Sequence, residues 1–107
     1  MKYLYFHNGI FSSGNRYITI RRGDRWNKIL KPREIVSIID VEADSSHIVA
    51  KIIGVETMIF SKIPEELLKM SSNPECKTKN GLFNNMKIIY DGFENDETIT
   101  MILFEVL

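Results

Sequence analysis

The chain has 107 residues, of which 44% are hydrophobic, so it is long enough for one domain with a packed core and too short for two. Acidic and basic residues are equal in number, so the net charge is zero. The protein as a whole therefore does not attract nucleic acid electrostatically. A single cysteine, Cys76, excludes an internal disulfide and favours a reducing compartment. Since no apolar run could span a membrane and the N-terminus shows no signal peptide, we expect a cytoplasmic protein.

Strand patterns alternate with turn signals along most of the chain, and helical spacing of apolar residues is confined to the second half. Gly54 lies in the middle of a long predicted strand, where glycine is typical of a bulge or a sharp bend. In chain order, the pattern predicts a strand at 2–6, a short turn or helix through 11, a strand at 17–21, a turn at 26–30, a strand at 34–41, a hairpin loop at 44–46, a strand at 47–60, a helix from 61 to about 70, a polar loop at 71–80, a helix at 82–90 and a strand at 98–106.

This order of elements predicts an α+β fold with a mixed and strongly bent sheet, because strands and helices do not alternate regularly. The near-continuous apolar run at 34–41 predicts a strand that is buried on both faces. We expect a single hydrophobic core. Its predicted members are Ile18, Ile20, Val36, Ile38, Ile52 and Leu103, with Leu67 and Phe83 packed over them.

The stretch 11–26 holds the strongest candidate binding surface. On its predicted strand, Tyr17, Thr19 and Arg21 share one face, because strand side chains alternate. Arginine binds phosphate in a forked geometry, and aromatic rings such as Trp26 stack on bases. Basic residues gather here while the tail from Asp91 is acidic, so the stretch is either a functional basic patch or a solvated edge. The basic residues are Arg16, Arg21, Arg22, Arg25, Lys28, Lys31 and Arg33.

The run Gly14-Asn15-Arg16-Tyr17-Ile18-Thr19-Ile20-Arg21 resembles the signature of ASCH domains, which belong to the PUA-like proteins. In that family a glycine is followed by a short basic triplet ending in threonine and by a strand ending in arginine. The resemblance covers nearly the whole chain in the order of its elements. It implies a PUA-like β-pseudobarrel of about five strands with two or three covering helices, formed by residues 1–107 as a single domain.

Some ASCH proteins are amidohydrolases of N4-acetylcytidine and related nucleosides. In those enzymes the resemblance implies a lysine where this chain has Arg16, a threonine that matches Thr19, and a glutamate from a later helical region. No motif places this glutamate, and Glu65, Glu66 and Glu75 are candidates by region. A desolvated lysine can lose its proton and activate a nucleophile, whereas arginine effectively cannot. The replacement at Arg16 therefore argues against this catalytic mechanism.

No metal or cofactor site is predicted. His7, His47 and Cys76 lie far apart without the spacing of zinc ligands. The isolated glycines do not form a phosphate-cradling loop, and Cys76 has no neighbouring histidine that would mark a nucleophile.

The sequence thus predicts a nucleic-acid-binding protein, with RNA or a nucleotide as a better ligand than DNA. One alternative is the amidohydrolase; another is a protein-interaction module of phage or bacterial origin that meets a protein partner. Trp26 fits a core anchor better than a stacking platform, and Tyr17 could equally be an ordinary surface residue of its strand. The predicted binding residues are Arg16, Tyr17, Thr19, Arg21, Arg22, Arg25 and Trp26.

Overall fold

The computed structural model describes residues 2–7, 9–41 and 48–107. Within these ranges, no helix is long and apolar enough to cross a membrane. The strands and α-helices, in chain order, are β1 (Lys2–Phe6), β2 (Arg16–Arg22), α1 (Arg25–Ile29), β3 (Ile35–Asp40), β4 (Ile48–Ile59), α2 (Lys79–Ile89) and β5 (Thr98–Val106). Three short 3₁₀ segments lie between β4 and α2, at Phe60–Lys62, Glu65–Met70 and Pro74–Cys76.

The five strands form one mixed sheet in the order β1-β3-β4-β5-β2, which confirms the α+β prediction. The β1–β3 pair is parallel, and the other pairs are antiparallel. Although β1 and β2 are the two edges of the sheet, the guanidinium carbon of Arg21 lies 4.7 Å from the ring centroid of Phe6. The sheet therefore curls until its edges meet, as a pseudobarrel does.

The expected single core is wrong, because both faces of the curled sheet are covered. Val36, Ile38 and Ile52 lie inside the barrel, in a cluster that also contains Phe104. Ile18 and Ile20 belong to a second cluster, under α2 and the 3₁₀ segments. Leu67, Phe83 and Leu103 pack against that second cluster. Alternate residues of β2 thus enter different cores, and neither face of the strand is free.

The strands follow the sequence closely. The bounds of β1 and β5 are those predicted, and the bounds of the other three strands differ from the predicted ones by one residue at each end. The pairing of β4 with β5 shifts register between Ile52 and Gly54, which confirms the predicted bulge. The predicted hairpin loop at 44–46, with His47, lies outside the described residues.

The helical segments depart more from the prediction. The helix expected from 61 to about 70 is divided into two 3₁₀ segments, because Pro64 lies between them and has no N–H to continue the ladder. A short helix, α1, replaces the turn at 26–30, and no helix forms at Ile10 and Phe11. Helix α2 begins inside the expected loop, where the Thr78 hydroxyl accepts a hydrogen bond from the Gly81 N–H at 3.1 Å.

Ile38 tests the barrel core directly, since its side chain is fully buried. We expect Ile38→Ala to lower the free energy of unfolding by about 2–5 kcal/mol, measured by urea denaturation, because truncation leaves a cavity. Ile88→Ala is the matched control: Ile88 is 84% exposed on α2 and its truncation should change stability by less than about 0.5 kcal/mol. An equally small loss for Ile38→Ala would contradict the assigned core.

Candidate functional site

A cavity of about 230 Å³ lies at the seam where the sheet edges β1 and β2 meet. Backbone pairing does not close this seam. Instead, Ile18 of β2 makes an isolated bridge to Ser71, so the segment after the second 3₁₀ turn lies beside the β2 edge. The lining residues come from the end of β1 (Tyr5, Phe6, His7), from β2 (Ile18, Thr19, Ile20, Arg21), from the connecting segment (Leu68, Ser71, Ser72, Asn73, Cys76) and from α2 and its end (Leu82, Asn85, Met86, Ile89, Tyr90).

Arg21 is the main charged group of this cleft. Its Nε donates a hydrogen bond to the Thr19 hydroxyl at 3.2 Å, and its guanidinium lies over the Phe6 ring. Burial lowers the pKa of Arg21 below its usual value, but arginine stays charged in proteins. Among residues 2–7, 9–41 and 48–107, no carboxylate forms an ion pair with it. A desolvated cation without a counter-ion is suited to receive an anionic ligand.

Polar groups on the other walls could contact a ligand beside Arg21. The Asn73 side-chain oxygen accepts a hydrogen bond from the Glu75 N–H at 2.9 Å, which leaves its amide NH₂ to donate elsewhere. Asn85 is half-buried on α2, and Tyr90 follows the same helix. The mouth is apolar as well as polar, since Tyr5 and Ile89 both line the cleft and are more than half exposed.

The remaining arginines of the predicted patch do not converge on the cleft. Arg16 donates from Nε to Glu105 at 3.0 Å on the exposed side of β2. Arg22 donates to both carboxylate oxygens of Glu97, at 2.6 and 3.2 Å, and this hydrogen bonding lowers the pKa of Glu97. Arg25 lies beyond the strand, with its guanidinium carbon 5.8 Å from the Trp26 ring centroid.

The predicted aromatic residues have packing contacts. Tyr17 is half-buried, its ring centroid lies 5.6 Å from that of Phe11, and its hydroxyl accepts a hydrogen bond from the Ser12 N–H at 2.8 Å. Trp26 is half-buried against the barrel core. Neither ring lines the cleft, and exposed Glu66 does not line it either. Of the predicted site residues, the structure brings Thr19 and Arg21 together there.

Several lining residues were not predicted from the sequence. The helical spacing of α2 would place Asn85, Ile89 and Tyr90 near one face. Nothing in the sequence indicates that Phe6, on the opposite sheet edge, lies under Arg21, or that His7 lines the same cleft.

Cys76 lines the cleft but lacks the character of a nucleophile. The thiol is buried, and burial, together with the charge of nearby Glu75, raises its pKa to about 11. It therefore stays protonated at neutral pH, whereas the thiolate is the reactive form. In the part of the chain that the structure describes, no group of three or more His, Cys, Asp or Glu side chains could hold a metal ion.

Comparison with solved structures places this architecture among known folds. The crystal structure of an ASCH domain from Lactobacillus crispatus JV V101 matches 95% of this chain and 79% of its own, with a TM-score of 0.58 and 9% identity. The chain has an ASCH-like fold. A DUF984 protein from Enterococcus faecalis V583 matches 88% of this chain with a TM-score of 0.58 and 16% identity, and the chain spans 62% of that protein. No family model and no curated protein matches the sequence.

The geometry of the cleft generates a prediction about hydrolysis. We expect the purified protein not to release cytidine from N4-acetylcytidine, measured by liquid chromatography. Arg16 stands where the resemblance implies a lysine, yet it is paired with Glu105, and neither lysine nor carboxylate occurs among the described residues of the lining. Arg16→Lys should also be inactive, because the new ammonium would lie outside the cleft. Turnover above that of heat-denatured protein would contradict this interpretation.

Proposed function

We propose that the protein binds RNA and holds one nucleotide in the cleft of Arg21. One observation carries this proposal: the partly buried Arg21 guanidinium lines a cavity and has no carboxylate partner among the described residues. Its Nε is engaged by Thr19, so the terminal nitrogens remain for a ligand. Two such nitrogens fit two oxygens of one phosphate in the forked geometry that arginine favours.

The other walls suit the base and sugar of the same nucleotide. Phe6, Tyr5 and Ile89 offer apolar contact, and base–aromatic contacts contribute to binding without depending on sequence. Asn73 and Asn85 offer amide groups to base edges. The volume of about 230 Å³ is below the range of roughly 300–1,000 Å³ that is usual for drug-sized ligands, which favours one nucleotide over a longer segment.

RNA is the preferred ligand class for two reasons. Proteins read RNA mostly at single-stranded positions, where unstacked bases can enter pockets, whereas duplex bases cannot. The ASCH-like fold adds an analogy, which raises the expectation of a nucleic-acid or nucleoside ligand. No contact in the structure favours the amidohydrolase or the protein-interaction module over RNA binding.

The proposal is tested by replacing the arginine inside the cleft and one outside it. We expect Arg21→Gln to weaken binding of a 5′-phosphorylated, 3′-labelled single-stranded RNA about 10- to 100-fold in fluorescence anisotropy, since a hydrogen bond to a charged group contributes about 1.5–3 kcal/mol. The log–log salt slope should be small, about −0.7 for one phosphate contact with a single strand.

Arg25→Gln is the matched control, because Arg25 contacts Trp26 and does not line the cleft. It should leave the affinity unchanged, and circular dichroism should show that both variants stay folded. Equal losses for the two variants, or no RNA binding by the unaltered protein at low salt, would contradict the proposal.

A further inference from the structure

The cleft has room and charge for one phosphate group. Arg21 is the only arginine or lysine among the described residues that line it. Because Nε already donates to Thr19, the guanidinium presents its two terminal nitrogens, which match two oxygens of a single phosphate. The hydroxyl groups of Thr19 and Tyr90 and the amide of Asn85 lie on the same lining and could donate to a third oxygen.

The surface beside the cleft is unfavourable for further phosphates. Arg22, the next residue of β2, is neutralised by Glu97 and also donates to the Asp91 carbonyl at 3.1 Å. Asp91 itself follows Tyr90, which lines the cleft. The loop from there to β5 carries four carboxylates, at Asp91, Glu94, Asp96 and Glu97. A phosphate that left the cleft on this side would approach negative charge.

The arginine at the other end of β2 is also neutralised, because Arg16 is paired with Glu105. Proteins that bind internal stretches of single strands combine stacking with a positively charged groove that follows the backbone. Here the arginines of β2 on either side of Arg21 are neutralised by carboxylates, so β2 itself offers a passing strand only one unpaired arginine.

On the basis of the proposed function, we propose that the cleft binds a terminal phosphate of a nucleotide, a phosphomonoester, and excludes an internal segment of a strand. The phosphate contacts Arg21, the nucleoside attached to it occupies the other walls of the cleft, and any further strand leaves through the mouth between Tyr5 and Ile89. A monoester presents three free oxygens, one more than an internal diester, which suits the additional donors beside Arg21. A strand end and a free nucleoside monophosphate share this chemistry.

The test compares RNAs of one sequence that differ only in their ends. The set is a linear RNA with a 5′-phosphate, one with a 3′-phosphate, one with two hydroxyl ends, and a circular RNA without ends. Each competes with a labelled phosphorylated RNA for the protein. We expect the hydroxyl-ended and circular RNAs to bind about tenfold more weakly or worse than the better of the two phosphorylated forms, a difference of about 1.4 kcal/mol or more.

Further competitors distinguish a strand end from a free nucleotide as the source of the phosphate. They also distinguish a failure of this inference from a failure of the proposed function. If nucleoside monophosphate competes with the same affinity as phosphorylated RNA, a free nucleotide is sufficient for binding. If it competes more weakly, the cleft binds the phosphorylated end of a strand. Circular RNA that binds as well as phosphorylated linear RNA would overturn the inference and leave RNA binding intact. If neither phosphorylated RNA nor nucleoside monophosphate binds, both proposals fail.

A second variant probes the acidic side of the cleft. Glu97→Gln removes one carboxylate and releases Arg22, which then faces solvent with an unpaired charge. We expect this change to reduce the difference in affinity between circular and phosphorylated linear RNA, because a second cation becomes available next to Arg21. Lys28→Gln is the control on α1, where Lys28 pairs with Asp24; it should leave the difference unchanged. An unchanged difference in Glu97→Gln would contradict the electrostatic exclusion.

Discussion

The contact between the Arg21 guanidinium and the Phe6 ring is the interaction on which the candidate site depends. It joins β1 and β2, the two strands that lie at opposite edges of the sheet. A closed barrel would satisfy both edges by backbone hydrogen bonds. Here the seam is spanned by a cation over an aromatic ring, and Ser71 takes up part of the β2 edge. A cavity remains at the seam because the closure is made by side chains.

The position of Arg21 is fixed by the burial of β2 on both sides. Ile18 and Ile20 are held under α2, while Thr19 and Arg21 point toward the barrel. Arg21 pairs in register with Thr100 of β5. The Thr100 hydroxyl donates to the Gly23 carbonyl at 2.6 Å, which secures the chain just after the strand. The guanidinium is therefore held between the sheet edges, and no carboxylate among residues 2–7, 9–41 and 48–107 forms an ion pair with it.

The strands could be predicted from the sequence because the apolar pattern of a strand is local. The bulge in β4 could be predicted because it lies at a glycine, Gly54, within the strand. The single helix expected after β4 is two 3₁₀ segments instead, because Pro64 interrupts the backbone hydrogen bonds between them.

The site was predicted only in part. Arg16 and Arg22 resemble Arg21 in sequence, but their partners Glu105 and Glu97 lie 89 and 75 residues away, and no local pattern reveals such pairs. The approach of Phe6 to β2 is equally non-local.

The most direct test of the central claim is nuclear magnetic resonance of the arginine side chains in ¹⁵N-labelled protein during titration with 5′-phosphorylated RNA. If Arg21 is the group that receives the ligand phosphate, its Nε–H resonance should shift saturably, and those of Arg16 and Arg25 should stay in place. Assignment of the Arg21 resonance follows from its loss in Arg21→Gln. Saturable shifts at Arg16 and Arg25 with an unmoved Arg21 resonance would contradict the account.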